Sequence, residues 1–131
     1  MKLKAICIAL LLVANLAPFS YAQGEVVNNI RAAIKAGSAR ELGKYLNDTV
    51  EMSINGSKSS YNKTRAEIVL KDFFSKYPPE NFTYIHQGSS SEGLRYAIGT
   101  YAYGKGTYRV YMLLKQFGGT YKIDTIDFSR D

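Results

Sequence analysis

Apolar positions open the chain as a solid block and only later become periodic. Ala5 to Ala14 reads Ala-Ile-Cys-Ile-Ala-Leu-Leu-Leu-Val-Ala without a polar interruption, after the positive start Met1-Lys2-Leu3-Lys4. From Glu25 to Ala36 the pattern changes. Val26, Val27, Ile30 and Ile34 share one face at helical spacing, with Asn28, Asn29, Arg31 and Lys35 opposite. This predicts an amphipathic helix that Gly37 stops. Ser38 and Glu41 have the spacing of a capping box and open a second short helix, with Leu42, Tyr45 and Leu46 as its stripe and Asn47-Asp48 as its end. Thr49 to Asn55 then alternates, Val50, Met52 and Ile54 against Thr49, Glu51 and Ser53, which predicts a half-buried strand. Asn55-Gly56 is a hairpin turn, and a return strand follows over Lys58–Tyr61.

A third helix runs from Lys63 to about Tyr77, capped by Asn62 and stopped by Pro78-Pro79. Ala66, Val69, Leu70, Phe73, Phe74 and Tyr77 line one face. Beyond Phe82 the periods are those of strands: Phe82–Gln87, Leu94–Tyr103, Thr107–Phe117 and Tyr121–Ser129. Short Gly-rich turns join them, so neighbours are antiparallel. Tyr108, Val110, Met112 and Leu114 face the core. Ile123 and Ile126 differ in parity, and a β-bulge between them would return both to one face. Helices first, then a strand pair, a helix and a meander give the order ααββαββββ. That segregation is an α+β fold rather than a wound parallel sheet.

The opening block is a secretory signal: positive start, short apolar core, Pro18, then Ser20-Tyr21-Ala22 as a small-residue cleavage site before Gln23. Ten apolar residues are too few to span a bilayer, which takes about 20. The expectation is a cleavable signal over residues 1–22 and a single domain over 23–131. The product would be exported to the periplasm or the cell exterior, with no membrane span after cleavage. Losing Lys2 and Lys4 lowers the net charge from +6 to +4. The remaining cations are scattered, so no nucleic-acid partner is expected. Cys7 is the only cysteine and leaves with the signal, which removes disulfides, thiolate metal sites and a Cys nucleophile. His86 is the only histidine, so no two-histidine metal site exists. No metal and no cofactor are expected.

Particular stretches resemble a known family. Ile85-His86-Gln87-Gly88-Ser89-Ser90, Tyr96-Ala97-Ile98-Gly99-Thr100, Gly106-Thr107-Tyr108-Arg109-Val110-Tyr111, Lys71-Asp72-Phe73-Phe74 and Pro78-Pro79 are similar to the exported bacterial family known as domain of unknown function 4783, found mostly in Bacteroidota. The element order and the ending Gly118-Gly119-Thr120-Tyr121-Lys122-Ile123-Asp124-Thr125-Ile126-Asp127-Phe128 resemble the nuclear transport factor 2-like, or cystatin-like, superfamily. The resemblance implies a cone, with a strongly curved sheet wrapped over the three helices. It implies no activity.

Candidate chemistry follows from where that superfamily places its sites, inside the cone. Enzymes of that kind use an Asp, or an Asp and His, beside Tyr in an apolar pocket. That points to His86 with a carboxylate, Asp124 before Asp48 or Asp127, as the catalytic candidates of an isomerase, dehydratase or hydrolase. Asp48 is also explained by an Asx turn after the second helix, and Asp124 and Asp127 by solvent exposure. The leading expectation is instead a non-enzymatic module. It would bind a small ligand or an envelope protein through Tyr84, Tyr96, Tyr108 and His86 in a cavity, or through an outer sheet face of Arg95, Tyr101, Tyr103, Arg109 and Tyr111. A homodimer is left open. Gly104-Lys105-Gly106 is a turn without a following helix, not a phosphate loop. The Asn-x-Ser/Thr triplets at Asn47, Asn55, Asn62 and Asn81 are attributed to chance.

Overall fold

The computed structural model describes residues 24–131. The signal expected over residues 1–22, with Cys7, lies outside the described residues. Among the described residues no helix is long and apolar enough to cross a membrane.

Helix α1 covers residues 24–35 and buries Val27, Ile30, Ala33 and Ile34. Gly37 ends it at φ +65°. The amides of Gly37 and Ser38 return to the carbonyls of Ile34 at 2.9 Å and Ala33 at 3.0 Å. This paired cap satisfies carbonyls that a helix end otherwise leaves open. Ser38 then starts α2, Ala39–Gly43, its Oγ accepting from the Glu41 amide at 3.1 Å.

This second helix is shorter than its stripe suggested. Leu46, Asn47 and Asp48 are already strand, β1 running Leu46–Ile54. The Tyr45 carbonyl accepts the Ile123 amide at 2.7 Å and draws the chain into the sheet early. Asp48 is therefore an exposed strand residue, and no Asx turn explains it. Strand β1 pairs with β2, Ser57–Asn62, across the Asn55-Gly56 turn, where both residues take positive φ. Helix α3, Lys63–Lys76, is capped by Asn62, whose Oδ1 accepts the Arg65 amide at 2.8 Å. It buries Ala66, Leu70, Phe73 and Phe74.

Four long strands complete the sheet: β3 Pro79–Ser89, β4 Arg95–Tyr103, β5 Gly106–Phe117 and β6 Thr120–Arg130. The order is β2-β1-β6-β5-β4-β3. Only the β1–β6 contact is parallel; the other neighbours are antiparallel. This is the expected α+β architecture.

Two of the sheet's register shifts set the faces of the candidate residues. In β6, Leu113 pairs with Thr125 but Leu114 with Ile123, so Asp124 is the extra residue and both Ile123 and Ile126 are buried. In β3, Tyr84 pairs with Gly99 but His86 with Ile98, so Ile85 is extra. That second bulge was not anticipated, and it places Tyr84 and His86 on opposite faces of the sheet.

The helices cover one face, and its interior is filled by side chains. Phe73 sits at the centre, with ring centroids from 4.3 Å (Phe128) to 6.1 Å (Phe74) and with Tyr77, Tyr101 and Tyr108 between. Phe82 crosses the small residue Gly99.

Candidate functional site

The four ligand-binding candidates do not share a cavity. Tyr84 packs on the helix side, where its hydroxyl donates to the Val27 carbonyl at 2.8 Å and ties β3 to α1. Burial pushes that hydroxyl well above its ordinary pKa, outweighing the nearby Arg31 charge, which pulls the other way. Tyr108 is fully buried at the end of the domain formed by the β1–β2 turn and the end of β6. Its oxygen accepts from Asn55 Nδ2 at 3.0 Å and from Arg130 Nε at 3.1 Å. Burial alone would raise its pKa, yet the donors Asn55, Tyr77 and Arg130, with the Arg130 charge, lower it.

Tyr96 and His86 lie together on the opposite, outer face. His86 Nε2 is 3.2 Å from the Tyr96 hydroxyl, and the rings are 5.4 Å apart. Tyr96 lies across Gly88, where a Cβ would sit 2.3 Å from its ring. A glycine opposite an aromatic is how a strand pair makes room for such a ring.

His86 is solvent-exposed and has no carboxylate partner among the described ion pairs. Asp124 is on β6, two strands beyond β4, or about 14 Å away by strand spacing. It pairs with Lys115 at 3.2 Å. The pocket that a His86–Asp124 reaction would need is not assembled. Among the described residues no cluster of His, Asp and Glu could hold a metal ion.

The outer face itself differs from the expected one. The turn at Gly104-Lys105 pairs Tyr103 with Gly106, and so Tyr101 with Tyr108. Odd positions of β4 therefore face the core beside even positions of β5. Tyr101 is fully buried and donates to the Tyr77 carbonyl, Tyr103 packs on Tyr77, and Arg95 lies over the Tyr121 ring at 5.7 Å. Of the five residues expected outside, Arg109 and Tyr111 are there. The residues that take the other places are Tyr96 and Ile98 from β4 and Leu113 from β5.

These form a contiguous block. Tyr96 stands directly opposite Leu113, Ile98 opposite Tyr111, and His86 opposite Ile98. Cross-strand partners on one face are in side-chain contact range. All four of Tyr96, Ile98, Tyr111 and Leu113 are partly exposed. Ion pairs flank the block, Arg109–Asp131 at 3.4 Å and Lys115–Asp124 at 3.2 Å. Among the described residues, clefts lie at the helices instead. One of about 530 Å³ runs between α2 and α3 beside Arg40, Ile68 and Lys71, and one of about 300 Å³ lies beside Ala33 and Tyr45. None of Tyr84, His86, Tyr96 and Tyr108 lines either.

Residues 27–129 match the family described as Domain of unknown function (DUF4783). The chain belongs to that family. Among DUF4783 structures, that of a protein from Bacteroides ovatus shares 31% identity at a TM-score of 0.75, covering 79% of this chain and 93% of that one. One from Bacteroides uniformis shares 28% at the same TM-score, over 79% and 95%. At 10% identity and a TM-score of 0.66, an NTF2-like protein of unknown function from Shewanella baltica covers 86% of this chain and 93% of its own, and shares the fold alone. The DUF4783 domain thus has the NTF2-like architecture. No curated relative matches the chain.

Proposed function

We propose that this DUF4783 protein is an exported, non-enzymatic binding module that engages an envelope protein through the outer face of its sheet. The observation that carries this reading is the block of Tyr96, Ile98, Tyr111 and Leu113. A sheet with one solvated face ordinarily alternates apolar-in and polar-out. Strands β4 and β5 keep the inner half of that rule and break the outer half. An apolar, aromatic centre with a charged rim has the composition of a protein interface. Export rests on the charged start and apolar run of residues 1–22.

The test is site-specific photo-crosslinking in the native envelope. A crosslinker replacing Tyr111 or Leu113 should give a discrete adduct, and one replacing Lys35 on α1 should give none. Leu113→Glu should abolish the Tyr111 adduct. An adduct of twice the protein's mass identifies a second copy as the partner. Equal labelling from Tyr111 and Lys35, or no adduct from the sheet face, defeats the proposal.

A further inference from the structure

A second group of polar side chains gathers at the end of the domain where β1 turns into β2 and β6 finishes. Arg130 is the key residue. Its Nε donates to Tyr108 at 3.1 Å and its Nη2 to Tyr77 at 3.3 Å. Its guanidinium carbon stands 5.7 Å from the Tyr108 ring centroid and 5.8 Å from that of Tyr77. Tyr103 closes on the same group, 5.2 Å from Tyr77 and 5.6 Å from Tyr108. The Asn55-Gly56 turn, at φ 52° and 84°, brings the Asn55 amide to the Tyr108 oxygen from the other side.

Two features of this arrangement call for an anion. First, the charge is not neutralised. Five ion pairs occur among the described residues, and none includes Arg130. Its neighbour Asp131 pairs with Arg109. A guanidinium has five donors in a rigid fork, and the two bonds to tyrosine oxygens leave the outer edge of that fork unused in an exposed side chain. Second, donors converge here: Asn55 Nδ2 at 3.0 Å and Arg130 Nε at 3.1 Å both point at the Tyr108 oxygen, and with the Arg130 charge they offset burial and make that hydroxyl easier to ionise. A tyrosine-braced guanidinium is held in one orientation before any ligand arrives, which lowers the entropic cost of binding.

We propose that the exposed edge of Arg130, braced by Tyr77 and Tyr108 and flanked by Tyr103 and Asn55, is a binding site for an oxyanion group, a carboxylate or a phosphate, carried by a small ligand. Arginine presents parallel donors to either group. This site is on the helix side of the sheet and separate from the proposed outer face, so the two proposals fail independently.

The test uses nitrogen-edited NMR of the arginine side chains and the Asn55 amide in the exported protein. Sodium acetate and sodium phosphate are titrated in turn, with sodium chloride holding ionic strength constant. A saturable shift of Arg130 Nε–H and Asn55 Nδ2 with acetate alone assigns a carboxylate ligand, with phosphate alone a phosphate ester, and with both a general oxyanion site. Arg130→Gln should weaken binding roughly tenfold or more, the loss of a charged hydrogen-bond donor. Should that change disturb the β6 amides, Arg130→Lys decides, since it keeps the charge and loses the fork. Several-fold weaker binding supports the site. Unchanged affinity in Arg130→Lys, or shifts that follow chloride equally, overturns it.

Discussion

Gly88 and Gly99 sit on adjacent strands and opposite faces of one ribbon, each beneath an aromatic ring from the partner strand. A methyl group added at Gly88 would meet the Tyr96 ring at 2.3 Å, and one at Gly99 the Phe82 ring at 2.5 Å. By distance alone Gly88→Ala is the worse change. The surroundings reverse that order. Phe82 is 0% exposed and is held edge-on to Tyr84 at 5.3 Å, so its ring has nowhere to go. The Thr83 carbonyl oxygen, 2.9 Å from the same methyl, is backbone and cannot swing aside. Tyr96 borders solvent and can rotate outward for the loss of its His86 contact. Overpacking a core costs about 1–3 kcal/mol, and Gly99→Ala belongs at the upper end. Reduced freedom of the unfolded chain offsets roughly 0.5 kcal/mol of it. Gly88→Ala should cost under about 1 kcal/mol, a surface-type effect. Urea denaturation followed by circular dichroism, at constant m-value, measures both. At about 4 °C per kcal/mol for a domain near this size, Gly99→Ala should lower the melting temperature by roughly 10 °C. Phe82→Leu shortens the obstructing side chain, so the double variant should cost less than the sum of the singles by about 1 kcal/mol. Strict additivity, or a Gly88→Ala variant as damaged as Gly99→Ala, would refute the reasoning.

Asn62→Ala removes the acceptor for the Arg65 amide at the start of α3, and should lower the unfolding free energy by about 1 kcal/mol, read from the urea midpoint. Alkaline titration should expose the buried hydroxyls. Burial raises Tyr84 and Tyr101 above their ordinary 10.0, so both stay neutral in the fold while the unfolded chain ionises. Their contribution is complete below that pH and falls as pH rises towards the folded values, by on the order of 1 kcal/mol per pH unit for each group. Tyr108, shifted the other way, adds stability as pH approaches 10.0, so the decline belongs above it. Urea midpoints at about pH 9, 10 and 11 measure the slope, and Tyr101→Phe should make it shallower; an unchanged slope in that variant counts against the assignment.

Elements whose periodicity was reinforced by a cap or a change of parity were readable in advance. Helix α3 combined a stripe at 3.6 spacing with Asn62 at its start, and both are realised. The opposite parity of Ile123 and Ile126 required an extra residue between them, and Asp124 is it. The limit of α2 was harder. Leu42, Tyr45 and Leu46 fit a helical stripe, but Leu46 fits the buried first position of β1 equally well. What decided it was the pairing of the Tyr45 carbonyl with Ile123, a contact far away in sequence.

The candidate site was less legible because tyrosine gives no sign of which face it will occupy. Tyr101 and Tyr108 are fully buried while Tyr96 and Tyr111 stand on the outer face, all within one hairpin. The two-residue turn at Gly104-Lys105 did contain the missing signal. It forces Tyr103 opposite Gly106, and counting back puts Tyr101 beside Tyr108 and Tyr96 beside Leu113. His86 offered no such signal. On an edge strand with polar residues on both faces, an inserted Ile85 breaks no hydrophobic pattern, so simple alternation kept His86 with Tyr84. Ile85 remains 56% exposed, so hydrophobic burial does not explain the bulge. Its structural consequence is to carry His86 from the helix side to the outer face, within reach of Tyr96. The local irregularity that defeated the alternation rule also extends the outer block to a third strand, and deleting Ile85 would remove only the extra residue, leaving His86 next to Tyr84 in sequence, opposite Ile98 and on the outer face.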